Sequence, residues 1–318
     1  MKVVVRLDIS AHLGTGHWRR MSNLVAAIPG AEAVFVVRTD HRDSSLFIGN
    51  RVHFLAASDG EEMLVSVCAA EAPQLLLLDL LKYPPGFVRW LKNVTGRRVV
   101  TFHEYTDWDD ASDLAVNYNT FEGFERSDSP SLLAGPNYCL INGDILNITR
   151  AAKTTGVLTT FGGSDPSGFT TTFIERVATH LPHLPFVIHQ GPFAATTRPN
   201  ARSAKLSNVH LTEPGDALFR LMATSRLAVT AGGNSMYELM YLGFVPAVVA
   251  HNDHQAEFAR NAARLGACYF FRSHPTVDWE ALGSLIEQQY ANPPQPSHRL
   301  IDGLGTQRLV KQLMKLCE

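Results

Sequence analysis

The sequence predicts an α/β fold of two Rossmann-like units, each a parallel sheet with helices on both faces. Three observations carry that prediction. Short apolar runs alternate with amphipathic stretches along nearly the whole chain, the pattern of strand and crossover-helix repeats. The 318 residues suffice for two cores of ordinary size. The alternation lapses once, over 120–147, and then begins again.

In chain order, 2–6 reads as a buried first strand, followed by the polar loop LDISAHLGTGHWRRM. A helix from 17 to 27 carries Met21, Leu24, Val25 and Ile28 at helical spacing. Strands follow at 34–38 and 52–55, a helix at 61–70, and a central strand at 75–79. A strand at 99–102 leads into the loop HEYTDWDDASD and a further strand at 114–117. Right-handed parallel crossovers are expected throughout. Residues 120–147 are rich in Gly, Pro, Ser and Asn and too long for an ordinary connection, so they are expected to be functional or to cross a domain junction.

The second series opens with the strand GVLTTF (156–161), a turn at 162–166 and a helix at 170–181. Strands at 186–189 and 209–211 and a helix at 216–224 lead to the most legible unit. There the strand 227–230 stops at Gly232 and Gly233, a helix follows with Asn234 or Ser235 as its cap and Glu238 in its first turn, and Gly243 ends it. A strand at 246–250 and a polar loop, 251–255, come next. The helix 303–316 closes the chain, with Leu304, Leu309, Leu313 and Leu316 on one face. The expected division is 1–147, 148–300 and a C-terminal helix 301–318, with a cleft between the two units.

Composition narrows function. A hydrophobic content of 45%, a charged content of 18% and a formal net charge of −2 describe a globular chain and exclude disorder. No basic cluster with interleaved aromatics suggests nucleic acid. No apolar run approaches a membrane span, and the opening MKVVVRLDIS is too short a run for a signal peptide. Cys68, Cys139, Cys268 and Cys317 form no CxxC pair, so neither zinc nor a disulfide frame is indicated, and a reducing cytoplasm is the expected setting.

A strand that feeds a Gly-rich turn into a helix N-terminus offers unpaired N–H groups and the positive end of a dipole, a site for a phosphate or diphosphate. Two glycines also serve simply to close such a turn. The polar residues Asn234, Ser235, Glu238, His254 and Gln255 all fall where open α/β sheets bind ligands, at strand C-terminal ends, and favour the ligand. A nicotinamide enzyme is disfavoured, because GTGH lacks the third glycine of GxGxxG and the second strand runs into Arg38 with no acid at its end.

Taken together, RLD (6–8), GTGH (14–17) with Arg20, GPNY (135–138), FGGSDP (161–166), AGGNSMYE (231–238), GFVP (243–246) with Gln255, and DGLG (302–305) with Arg308 have an order and spacing that resemble the two-Rossmann-domain glycosyltransferase-B class. Within it the chain is similar to the UDP-sugar hydrolases of pseudaminic acid biosynthesis and the SpsG-type spore-coat polysaccharide proteins. That resemblance implies cleavage of the anomeric carbon–oxygen bond of a nucleotide sugar by water, with inversion and without a metal or other cofactor. It implies His17 as the general base, suited to take a proton near neutral pH. Asp8 is left with two roles, orienting His17 or gripping a sugar hydroxyl, beside the plain one of a strand-end residue.

On the same resemblance Gly162, Gly163, Ser164, Gly232, Gly233, Asn234 and Ser235 would hold the diphosphate and Glu238 the ribose. Gly14, Gly16, His103, Glu104, Asn117, Tyr138, His254 and Gln255 would line the sugar or acceptor side. The chain departs from the family pattern at His103 and Glu104, where paired aspartates are usual, at Leu80, at Tyr237 in place of tryptophan and at His254 in place of asparagine. His103 and Glu104 read as a second base pair or as recognition of a different sugar. Partners are then a nucleotide-sugar donor and a possible small-molecule acceptor. Two further readings remain: an inverting glycosyltransferase using an alcohol or amine acceptor, and a sugar-nucleotide binding protein without turnover. An epimerase is expected less, since the sequence displays no cluster of acids and bases suited to proton transfer at a sugar carbon.

Overall fold

The computed structural model describes residues 1–10, 13–42, 45–104, 111–126, 131–151, 154–194, 206–212 and 217–318. Parts of the loops at 7–21 and 103–113, of the 120–147 segment and of the expected helix 216–224 lie outside the described residues. The chain divides into two units, Met1–Leu140 with Gly303–Glu318, and Ile141–Asp302.

The first unit is built on a seven-stranded parallel sheet. Its elements run β1 (Lys2–Asp8), α1 (Gly16–Ala27), β2 (Glu32–Arg38), β3 (Arg51–Leu55), α2 (Glu62–Glu71), β4 (Leu75–Asp79), α3 (Phe87–Thr95), β5 (Arg98–Phe102), β6 (Leu114–Asn117) and β7 (Leu132–Ala134). The strand order is β3-β2-β1-β4-β5-β6-β7, so the direction of winding reverses between β1 and β4. β1 pairs with both neighbours in register, Val3 with Ala33 on one side and Leu75 on the other. Strands covered on both faces read as continuous apolar runs, and Leu75, Leu76, Leu77 and Leu78 are fully buried. Each such leucine contributes about 1.5–3 kcal/mol of transfer free energy. α1 lays Met21, Leu24 and Val25 inward, and its Trp18 packs on Phe35 and Phe47 with ring centroids 4.7 and 4.9 Å away.

The second unit contains α4 (Gly143–Leu146), β8 (Val157–Thr160), α5 (Phe169–Arg176), β9 (Phe186–His189), β10 (Val209–Leu211), α6 (Leu218–Thr224), β11 (Leu227–Ala231), α7 (Asn234–Tyr241), β12 (Ala247–Ala250), α8 (Asp253–Arg264), β13 (Tyr269–Ser273) and α9 (Trp279–Tyr290). Its six parallel strands are ordered β10-β9-β8-β11-β12-β13, with the reversal between β8 and β11. Phe161, Phe169, Phe173, Phe186 and Val249 belong to its core. The terminal helix, α10 (Gly305–Cys317), returns to the first unit.

Several expectations are corrected. The polar stretch 251–255 is not a loop: Asn252 accepts the Gln255 N–H at 3.1 Å and starts α8, so His254 and Gln255 lie in its first turn. The helix expected at 170–181 ends at Arg176 and tightens into a 3₁₀ turn, Ala178–His180, before Pro182. Within 120–147, where the alternation lapses, the described residues carry β7, two 3₁₀ turns and α4. Helices α3 and α9 and strand β13 escaped the sequence pattern. Among the described residues no helix is long and apolar enough to cross a membrane.

Two of the sequence motifs meet in the first unit. A Cβ on Gly305, which opens α10, would lie 2.2 Å from the Cys139 carbonyl oxygen and 2.6 Å from its nitrogen. Three residues further on, the Arg308 guanidinium donates to the Asn137 carbonyl at 2.9 Å. The GPNY stretch and the start of α10 therefore form a docking joint within the first unit. Gly305→Ala improves helix propensity by about 1 kcal/mol but forces backbone against backbone, a cost of about 1–3 kcal/mol or more. The steric effect wins, and thermal unfolding of the variant is expected several degrees below the parent; an unchanged or raised melting temperature would refute the close contact.

Candidate active site

In the first unit the chemistry gathers at the C-terminal ends of β1, β4, β5 and β6, beside the reversal of winding where open sheets form crevices. After β1 the chain closes a small bridge, with Gly14 donating to the Ser10 carbonyl at 2.8 Å, and Gly14 takes φ +73°, which favours glycine. α1 then starts at Gly16 without a side-chain cap and without an acid in its first turn. His17 and Arg20 are three apart on this helix and share a face. They meet Asp79, the charged residue that ends the otherwise apolar β4.

Asp79 is completely buried, and Arg20 is 4% exposed. The guanidinium forks onto the carboxylate: Nε donates to Oδ2 at 2.6 Å, and Nη2 donates to Oδ1. Its third arm, Nη1, donates to Glu104 Oε1 and to the Tyr118 hydroxyl, each at 3.0 Å. His17, 5% exposed, stands between the two acids, with Nε2 3.5 Å from Glu104 Oε1 and Nδ1 4.0 Å from Asp79 Oδ1. Nδ1 is buried and has no hydrogen-bond partner among the described residues. Burial works against the imidazolium, and Arg20 repels it, but Asp79 and Glu104 outweigh both and hold the proton affinity of His17 above its ordinary value. Burial pushes the Tyr118 hydroxyl up as well, so it stays protonated.

This arrangement corrects two expectations. Asp8 does not orient His17. It accepts from Arg6 Nη1 at 2.5 Å and lies 3.8 Å from Arg38 Nε, while Glu61 accepts from both arginines, so Asp8 belongs to an ion network that pins the loop ahead of α2. The chain does contain a cluster of acids and a base, assembled from three separate strand ends and one helix and so invisible as a local motif. Its members Arg20 and Asp79 lacked assigned roles in the sequence. The signal was a lone acid ending an all-leucine central strand and an arginine one turn beyond His17.

His103 and Glu104 part company. Glu104 joins the cluster, whereas His103 Nε2 lies 2.8 Å from Thr101 Oγ1 and its ring packs on Tyr83, centroids 4.8 Å apart. Asn117 is fully buried at the end of β6, where its Oδ1 accepts from the backbone and the side chain of Asn119 at 3.2 and 3.0 Å. Tyr138 sits in the 3₁₀ turn against which α10 docks. Gly16 is the first residue of α1.

In the second unit the expected nucleotide residues follow β8 and β11, the strands flanking the reversal. The two turns differ. Asp165 is 2% exposed and held at φ +45°, and its carboxylate accepts the Phe169 and Thr170 N–H groups at 2.8 Å each. The N-terminus of α5 is thus already occupied by a negative charge. Burial raises the Asp165 pKa, against these hydrogen bonds. The turn itself stays compact: Gly162 takes φ +88°, Ser164 is 8% exposed, and Gly163 accepts the Phe193 N–H at 2.9 Å.

α7 is different. Its cap, Gly233, is extended and faces open space, there is no side-chain cap, and no acid lies in its first turn, because the helix starts at Asn234 and Glu238, expected in the first turn, falls beyond it. Asn234, Ser235 and Glu238 are partly exposed around it. The preceding Gly232 allows α8 to approach, since a Cβ there would lie 2.8 Å from the Gln255 carbonyl oxygen. Gln255 in turn accepts the His251 N–H at 3.1 Å, and His251 bridges Ser167 and the Phe161 carbonyl at 2.9 Å each. His254 packs edge-on against Phe258. Gln255 therefore buttresses the turns around α7.

No protein-family model matches the chain. The spore coat polysaccharide biosynthesis protein SpsG of Bacillus subtilis is 23% identical over 345 aligned positions, covering 100% of this chain and 99% of SpsG. An uncharacterized protein of Methanocaldococcus jannaschii, MJ1062, is 21% identical over 81% of this chain, which spans only 57% of that protein. Among solved structures, the UDP-GlcNAc 2-epimerase of Neisseria meningitidis bound to UDP-GlcNAc superposes with a TM-score of 0.66 at 14% identity, covering 99% of this chain and all of the other. The spinosyn rhamnosyltransferase SpnG gives 0.61 at 15% identity, covering 100% and 95%. The fold is GT-B. Both Rossmann-like units of that fold are present, and the likeness to SpsG runs from end to end.

Proposed function

We propose that this GT-B chain is an enzyme that breaks the bond between the anomeric carbon and the diphosphate of a nucleotide sugar, UDP-linked on the model of its fold relatives. In the preferred reading water is the acceptor, His17 removes its proton, the sugar inverts and UDP leaves. The observation that carries this is the buried His17 seated between Glu104 and Asp79 at the crevice end of the sheet. A base so enclosed suits a small acceptor. Charge growing on the departing diphosphate is assigned to the N–H groups of Gly233, Asn234 and Ser235, with the Gly162–Ser164 turn adding donors, and ribose to Glu238. The reaction is expected to need no metal.

A second reading keeps the site and gives the sugar to an alcohol or amine, in line with the named activity of the rhamnosyltransferase whose fold it shares. Incubation with a panel of UDP-sugars and no acceptor, in EDTA, separates these. Catalytic release of UDP and free sugar supports the hydrolase. Release only on adding an acceptor supports the transferase. A rearranged UDP-sugar with no free UDP would instead turn the acid and base cluster toward epimerisation, and no change with any donor or acceptor would leave a binding protein.

A further inference from the structure

Imidazole has two distinct nitrogens, and a histidine acts as a base through whichever one lacks the proton. A carboxylate that accepts from one nitrogen fixes the proton there and leaves the lone pair on the other. Among the described residues, the charged and titratable groups around His17 are Arg20 on its own helix, Asp79 at the end of β4, Glu104 after β5 and Tyr118 after β6. Both Asp79 oxygens already accept from Arg20, through Nε and Nη2. Glu104 Oε1 is shared between Arg20 Nη1 at 3.0 Å and His17 Nε2 at 3.5 Å. The side chain of Glu104 is 19% exposed, against 0% for Asp79 and 4% for Arg20. Glu104 is thus the member anchored from inside the cluster yet open toward solvent. The opposite ring atom, Nδ1, is buried with no hydrogen-bond partner among the described residues. A buried ring nitrogen left so is destabilising, and a reacting water or hydroxyl would relieve it.

We infer that Glu104 is the positioning residue of the site: it holds His17 in the tautomer protonated on Nε2, so that Nδ1 takes the proton from the acceptor and Asp79 stabilises the resulting imidazolium. The proton balance is simple. Nδ1 accepts a proton as the acceptor oxygen bonds to the anomeric carbon and the bond to the diphosphate oxygen breaks, the electron pair leaving with the nucleotide. Arg20 ties the two acids together, so the distance from Glu104 to Asp79 sets where the ring can lie.

The inference rests on His17 being the base, but its test does not rest on turnover. Long-range proton–nitrogen correlation spectra of protein labelled with ¹⁵N-histidine report the tautomer and titration of His17 directly. In the wild type Nε2 is expected to carry the proton. In Glu104→Gln the tautomer bias is expected to weaken and His17 to titrate at lower pH, because a negative neighbour is lost. The acidic limb of the pH–rate profile then moves to lower pH while kcat falls about 10²-fold. Glu104→Asp, which restores the charge, returns the titration toward that of the wild type. Protonation of Nδ1 in the wild type overturns the inference, as does a Glu104→Gln protein whose His17 tautomer and titration are unchanged. Spectra that bear out the tautomer in a protein that turns over no nucleotide sugar would keep Glu104 as the residue that sets the His17 tautomer and sink the proposed function.

Discussion

His17→Gln is expected to lower turnover of a responsive nucleotide sugar by about 10²–10⁴, the contribution of a positioned general base. Affinity for UDP is expected to stay within about twofold, since the donors assigned to the nucleotide lie in the other unit and depend on α7. Glutamine keeps most of the volume of a residue that is 5% exposed, so the loss reports chemistry rather than collapse. Stability supplies a control with a definite sign. The folded-state pKa of His17 is raised by Asp79 and Glu104 against burial. The resulting stabilisation is fully present below the unfolded value of about 6.5 and disappears as pH rises through the folded value. Urea unfolding should therefore find the variant weakened most in acid, with the deficit shrinking toward alkaline pH. Undiminished turnover in this variant, at saturating substrate, would end the assignment of His17 as base.

Much of the frame was readable because central parallel strands are simple objects. Runs such as LLLLD and LAVT, buried on both faces, cannot be mistaken once turns bracket them, and glycine at Gly232 and Gly233 marks where the chain must bend. What escaped has physical reasons. α8 begins on Asn252, a cap whose polar neighbours look like a loop until the Gln255 N–H is seen to bond it. α3 exposes Trp90 and Val94, which blurs its two faces. In the site, the sequence names His17 and Glu104 but gives no sign that the 84 residues separating Arg20 from Glu104 are closed by one hydrogen bond. It also offers Asp8 as a partner for His17, because adjacency along the chain is visible and the pull of Arg6 is not. The FGGSDP turn is a similar case. Its glycines suggest a phosphate, yet the Asp165 carboxylate accepts the first N–H groups of α5, so the expectation of an anion there passes to the turn ahead of α7.

The largest effect on stability is expected from Asp79→Ala. Arg20 is always charged and 4% exposed, and it spends two of its three nitrogens on Asp79. Deleting the acid leaves a buried cation with, among the described residues, Glu104 and the Tyr118 hydroxyl to meet it, and breaking a buried pair in this way costs about 3–5 kcal/mol. Against a total of about 5–15 kcal/mol, that is enough to populate unfolded protein in mild urea. The same argument predicts that the pair is not irreplaceable for folding. Arg20→Met combined with Asp79→Leu removes both charges and fills the space, so it is expected to recover most of the loss, since buried pairs often exchange for apolar residues at little cost. It should not recover activity, because Glu104 then loses the Arg20 arm that holds it beside His17. Urea unfolding of the two single variants and the double gives the coupling between the positions. A coupling below about 0.5 kcal/mol would mean that the fork is an incidental contact, and the cluster would then have to be ordered by something other than the Arg20–Asp79 pair.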